Sequence, residues 1–151
     1  MQVRKSFVVQ IAKVDKEHRI VEGVVMKASK QFDENGEPTD YKDTHGNWAS
    51  VEEVKKACHN FNRKIYSNPP SKKVGVDKQH NDKAGYGVPI ESYIAKVDIP
   101  ELNAEIGDWV AAVEITDDAT WKEVEKGEIA GFSIGGSAKI TPAKGGEKED
   151  E

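Results

Sequence analysis

An α+β fold built on an antiparallel sheet or small barrel is what this 151-residue chain predicts, and three observations carry the prediction. Runs rich in β-branched residues begin almost at the N-terminus. One stretch alone carries a complete helix-start signal followed by helical spacing of its apolar residues. The strand-like segments then fail to alternate regularly with helical ones, as a parallel βαβ architecture would require.

Taken in order, Phe7 to Val14 and Arg19 to Met26 flank the polar Asp15-Lys16-Glu17-His18 and predict a β-hairpin. From Ser29 to Asn47 the chain is polar and turn-rich, a long loop of the kind that often borders a site. Within it Asp33-Glu34-Asn35-Gly36 places glycine at the fourth position, where a calcium loop needs it at the sixth, and so reads as a turn. Ser50 and Glu53 have capping-box spacing, and Val51, Val54, Cys58, Phe61 and Ile65 recur at helical intervals, predicting a helix over 50–66 that Asn68-Pro69-Pro70 stops. Val74 to Val76 predicts a short strand. Val88 to Ile99 and Asp108 to Ile115 predict two more, joined by a loop containing Pro100 and Gly107. Asp118 to Lys126 predicts a second helix with an acidic first turn and Gly127 as its stop. Ile129 to Ile140 returns to strand, broken by glycines, and Thr141 to Glu151 is an acidic tail without apolar periodicity. The expectation is one domain over 1–140, a disordered tail over 141–151 and no internal repeat.

Composition narrows the function classes. Hydrophobic residues at 36% and charged residues at 32% allow one domain with a modest core. A net charge of −5 argues against nucleic-acid binding, which needs a clustered cationic face. The single cysteine, Cys58, cannot form an internal disulfide, so a reducing cytoplasm is the default. No run of about 18 apolar residues and no export signal is visible, which predicts a soluble protein with no membrane partner.

The chemistry centres on Gly131-Phe132-Ser133-Ile134-Gly135, a literal G-x-S-x-G. Glycines around a serine predict a tight turn that leaves the hydroxyl accessible. A serine hydroxyl is a poor nucleophile until a base removes its proton, and the usual base is an imidazole. In α/β-hydrolases the histidine follows the serine. Here His18, His45, His59 and His80 all precede Ser133, which excludes that fold and disfavours a generic esterase. His80, in the polar run Val76-Asp77-Lys78-Gln79-His80-Asn81-Asp82, is the candidate base. His45 and His59 read as structural or exposed. Asp82 and Glu91 are the candidate orienting acids; Val88, Ile90 and Ile94 are expected to face the core, with the Glu91 carboxylate on the other side. Gly135 and Gly136 are candidates for the oxyanion-binding N–H groups. Cys58, His59 and His80 lack the usual zinc spacing, so no metal or cofactor is expected. Trp48, Trp109 and Trp121 read as packing residues.

Asp43-Thr44-His45-Gly46-Asn47-Trp48, the helix after it, Gln79-His80-Asn81, Glu91-Ser92-Tyr93-Ile94, Gly107-Asp108-Trp109-Val110, Trp121, Gly127-Glu128-Ile129 and Gly131-Phe132-Ser133-Ile134-Gly135-Gly136 resemble, in that order, the XkdF-type phage serine proteases, relatives of the prohead proteases of tailed phages. The resemblance covers roughly residues 5 to 140. It implies an antiparallel β-barrel with flanking helices like that of the herpesvirus assembly proteases (assemblin), with His80 and Ser133 as the catalytic pair. Relatives commonly continue into a further strand with an acidic residue before a Pro-Ala segment, whereas this chain runs Thr141-Pro142-Ala143-Lys144-Gly145-Gly146. The resemblance therefore leaves the third catalytic member unassigned.

The resulting expectation is a serine endopeptidase of phage head maturation. It would act inside the procapsid in the host cytoplasm on scaffold and major capsid proteins, with the portal and a second copy of the chain as further candidate partners. The rival expectation is a non-catalytic capsid-assembly protein that retains the fold, a reading kept open by the altered C-terminal segment.

Overall fold

The computed structural model describes residues 7–67, 76–78 and 84–134. Its strands are β1 (Phe7–Asp15), β2 (Ile20–Met26), β3 (Val76–Lys78), β4 (Ala84–Ile94), β5 (Trp109–Ile115) and β6 (Gly131–Ile134), and its α-helices are α1 (Val51–Ser67) and α2 (Asp118–Glu125). Every strand pairs antiparallel with two neighbours, in the order β1-β2-β5-β4-β3-β6, and β6 pairs back onto β1. The sheet closes into a barrel, which leaves none of these strands as a free edge.

The predicted hairpin is present, and its alternation selects the inner face. Phe7, Val9 and Val21 join Trp109, Ala111, Val113 and Ile115 of β5, and Phe132 and Ile134 of β6, in one buried core. Helix α1 begins with the expected capping box: the Glu53 N–H donates to Ser50 Oγ at 3.2 Å, while the Ser50 N–H donates back to Glu53 Oε1 at 3.1 Å. Its apolar stripe Val54, Ala57, Cys58 and Phe61 is buried in that same core. The Trp109 ring lies 4.8 Å from Phe7 and 5.7 Å from Phe61, centroid to centroid. Phe7 and Trp109 open β1 and β5, so α1 covers the end of the barrel at which those strands start.

Helix α2 serves the opposite end. The Asp117 carboxylate caps it, accepting from the Thr120 N–H at 2.9 Å and from Thr120 Oγ1 at 2.6 Å. Arg19, in the β1–β2 turn, donates to Asp118 at 2.6 Å and lies 5.8 Å above the Trp121 ring. Trp109 and Trp121 are thus packing residues, as expected. Trp48 packs against Phe32, with the two rings tilted by 55° and their centroids 5.3 Å apart.

Where the sequence predicted one long, turn-rich loop, with a turn at Asp33–Gly36, the structure holds two copies of one turn. The Asp33 carboxylate accepts from the N–H groups of Asn35 and Glu37 at 2.8 and 2.9 Å, and Asp43 does the same for His45 and Asn47 at 2.9 and 2.8 Å. Gly36 (φ 82) and Gly46 (φ 78) occupy the left-handed position that each turn requires. The expectation of no internal repeat misses this local one, since only spacing, and not overall similarity, relates the two copies.

The connection between β4 and β5 begins at Ala95, earlier than expected, and is organised by one buried charge. Asp108, 0% exposed, accepts from the Ala28 N–H at 3.0 Å, the Glu105 N–H at 2.8 Å, Lys30 Nζ at 2.9 Å and Lys27 Nζ at 3.1 Å. Burial pushes its carboxyl upward, but the donors at Ala28, Lys30, Glu105 and Lys27 outweigh that and hold it below the usual range. Asp108 therefore stitches the end of β2 to the start of β5.

Candidate active site

Ser133 lies inside β6. Its Cα partners are Val8 on β1 and Asp77 on β3, while the flanking Phe132 and Ile134 pair with the inward residues Val9 and Phe7. Side chains alternate along a strand, so Ser133 belongs to the outer face of the barrel wall. It is nevertheless only 4% exposed. The structure corrects the expected tight turn with an accessible hydroxyl: the backbone at Ser133 is paired on both sides. Nor do glycines break the strand within 131–134. Gly131 is accommodated as a strand residue because a Cβ there would lie 2.8 Å from the Val9 carbonyl oxygen and 2.7 Å from Val8 Cγ1.

His80, Asp82, Gly135, Gly136 and the 141–151 segment lie outside the described residues. What the structure does fix is the strand that leads to His80. Asp77, three residues before it in sequence, is the Cα partner of Ser133. Among the described residues, β1 and β3 offer one acidic residue at a position paired with β6, and it is Asp77. Sequence reasoning alone does not reach it. The available signal is its place on the strand that leads to His80, which gains meaning only once β3 and β6 are known to be neighbours.

Glu91 is exposed on the outer face, paired with Ala112. It is seven residues along β4 from Ala84, the residue paired with Asp77, a run of roughly 20 Å at strand rise. The register does not bring Glu91 to Ser133. The expectation that Val88 and Ile90 face the core is also corrected, since they are 49% and 38% exposed. A register shift between Pro89 and Glu91 is the reason: Gly87, Pro89 and Ser92 pair with the inward Ile115, Val113 and Ala111. Ser92 then accepts a hydrogen bond from Trp109 Nε1 at 2.9 Å, beneath α1.

The three described histidines are all exposed. His18 pairs with Asp15 at 3.0 Å in the β1–β2 turn, His45 occupies the second Asp-Gly turn, and His59 is on α1. Cys58 is buried, which raises its thiol pKa against the smaller opposing effects of Ser92 and Asn62. Among the described residues no group of three His, Cys, Asp or Glu side chains could hold a metal ion, and no helix is long and apolar enough to cross a membrane.

Comparison with known proteins adds an independent line. The family model described as "Putative phage serine protease XkdF" matches residues 7–142. "Uncharacterized protein YqbD" of Bacillus subtilis (strain 168) is 33% identical over 132 residues, covering 85% of this chain and 34% of that protein. "Phage-like element PBSX protein XkdF" of the same organism is 31% identical over 103 residues, covering 67% of this chain and 34% of that protein. The chain spans about a third of the length of the curated relatives it matches. No solved structure matches it significantly.

Proposed function

Because this chain belongs to the family whose model carries the description "Putative phage serine protease XkdF", we propose that it is a serine endopeptidase acting in phage head maturation. The observation that supports the reading most directly is the pairing of β3 with β6: Ser133 sits opposite Asp77, and His80 follows three residues later. In this reading Ser133 Oγ attacks the scissile carbonyl carbon as its proton passes to His80. His80 then returns the proton to the leaving amine, and backbone N–H groups at Gly135 and Gly136 receive the oxyanion. The register favours Asp77 over Glu91 as the carboxylate that accompanies the pair. Substrates are scaffold and major capsid proteins within the procapsid, and the fold is that of the prohead and herpesvirus assembly proteases.

The test is co-expression with the scaffold or major capsid protein of the same phage element, with cleavage followed by mass. Ser133→Ala and His80→Ala abolish it, whereas His45→Ala, His59→Ala and Glu91→Gln leave it running. Unchanged proteolysis in Ser133→Ala ends this reading and turns attention to Ser137. A second reading, a capsid-assembly protein that keeps the fold without turnover, draws on the 4% exposure of Ser133 and is the one that survives if no variant alters processing.

A further inference from the structure

We propose that Gly131 and Val8 are positioning residues for the Ser133 hydroxyl; the inference rests on Ser133 being the nucleophile. Gly131 and Ser133 are two residues apart on β6 and so share the outer face, and on β1 their respective partners are Gln10 and Val8. Val8 is thus directly across from Ser133 and diagonal to Gly131. Its Cγ1 lies 2.7 Å from where a Gly131 Cβ would stand, and the Val9 carbonyl oxygen lies 2.8 Å from the same point. Neither approach is compatible with a real side chain. The valine fills the volume that the glycine leaves empty, and the two strands close on each other there.

Two consequences follow for Ser133. A methyl group at 131 must drive Val8 Cγ1 out of its place toward its cross-strand partner, or force β6 away from the Val9 carbonyl and carry Ser133 with it. Either movement displaces the hydroxyl by an amount comparable with the overlap, and a misplacement of about 1 Å at a reacting group costs on the order of 10²-fold in rate. The first glycine of this G-x-S-x-G thus acts through close packing between paired strands, where a nucleophile elbow would use it to make a turn.

The experiment is the labelling rate of the full chain with a fluorophosphonate probe, in which the Oγ–P bond forms as fluoride leaves and the hydroxyl proton passes to the base. Urea unfolding is measured on each variant. Gly131→Ala is expected to label about 10²-fold more slowly. Val8→Ala alone, which leaves the β6 backbone untouched, is expected to slow labelling about tenfold by loosening the neighbour of Ser133, with little change in the urea midpoint. The Gly131→Ala/Val8→Ala double variant is expected to label about tenfold faster than Gly131→Ala, since one of the two overlaps is gone. A general folding defect would move the urea midpoint in step with the labelling rate, whereas misplacement of the hydroxyl slows the labelling of folded molecules. The proposal is overturned if folded Gly131→Ala labels at the wild-type rate or if Val8→Ala gives no recovery; should Gly131→Ala fail to fold, a wild-type rate in Val8→Ala alone overturns it. Labelling that persists in Ser133→Ala overturns instead the assignment of the nucleophile.

Discussion

Asp108 and Ser133 are both polar residues closed off from solvent in or beside the barrel wall, 0% and 4% exposed, yet their surroundings differ in kind. Asp108 receives two backbone N–H groups and two ammonium groups, and each donor comes from the chain that it must hold together. Ser133 sits on a short strand between an apolar residue, Val8, and an acidic one, Asp77, on the segment that leads to His80. A buried charge whose partners are all structural belongs to the stability of the fold. A buried hydroxyl on a strand that pairs at an acidic residue, on a segment close in sequence to an imidazole, is a different case, and under the proposed function its loss should be felt in rate.

Substitution separates the two most sharply in opposite assays. Ser133→Ala should lower cleavage by about 10⁴-fold or more while costing only about 1 kcal/mol of stability, the usual effect of losing one buried hydroxyl. A Ser133→Ala variant that is active or grossly unstable would break the comparison. Asp108→Ala should do the reverse, costing about 3–5 kcal/mol of stability because Lys27 and Lys30 lose their shared counter-charge, with the activity of the remaining folded fraction unchanged. Equilibrium unfolding in urea together with activity per folded molecule measures both sides.

The Asp108 carboxyl also sets a direction in pH. Its folded pKa lies below the ordinary 3.8, so its contribution is present above that value and is lost as pH falls through the lower folded pKa. Wild type should therefore lose stability on acidification below about pH 4, and Asp108→Asn should show a flatter acid limb. An unchanged limb would mean that other carboxylates carry the acid transition.

Smaller effects test the periphery. Ser50→Ala removes half of the capping box of α1 and should cost about 1 kcal/mol, read as a shift in the urea midpoint, with no effect on turnover. Least of all should follow from deleting 145–151, which carries Lys148 against Glu147, Glu149, Asp150 and Glu151 and has almost nothing to bury. Melting should be unchanged. A folded but inactive deletion would place the catalytic acid in that segment and remove Asp77 from the proposed triad.

What the sequence determined by itself was whatever depends on neighbours along the chain. Ser50 and Glu53 declared the start of α1, the β-branched runs on either side of Asp15-Lys16-Glu17-His18 marked the hairpin, Asp118 and Gly127 bounded α2, and the order of histidines before Ser133 excluded the α/β-hydrolase fold. What only the tertiary structure decided was which residues meet across strands far apart in sequence. Glu91 is near His80 in sequence, but the register sets it a strand run of roughly 20 Å along β4 from Ala84, the partner of Asp77, and a bulge at Pro89 reverses which of its neighbours face inward. Asp77 and Ser133, 56 positions apart, are paired through the β3–β6 register. The reason is physical: caps, turns and periodicity are short-range and are written in adjacent residues, whereas register is fixed by burying the inner face of six strands at once, and a shift of one residue would turn every side chain of a strand to the opposite face.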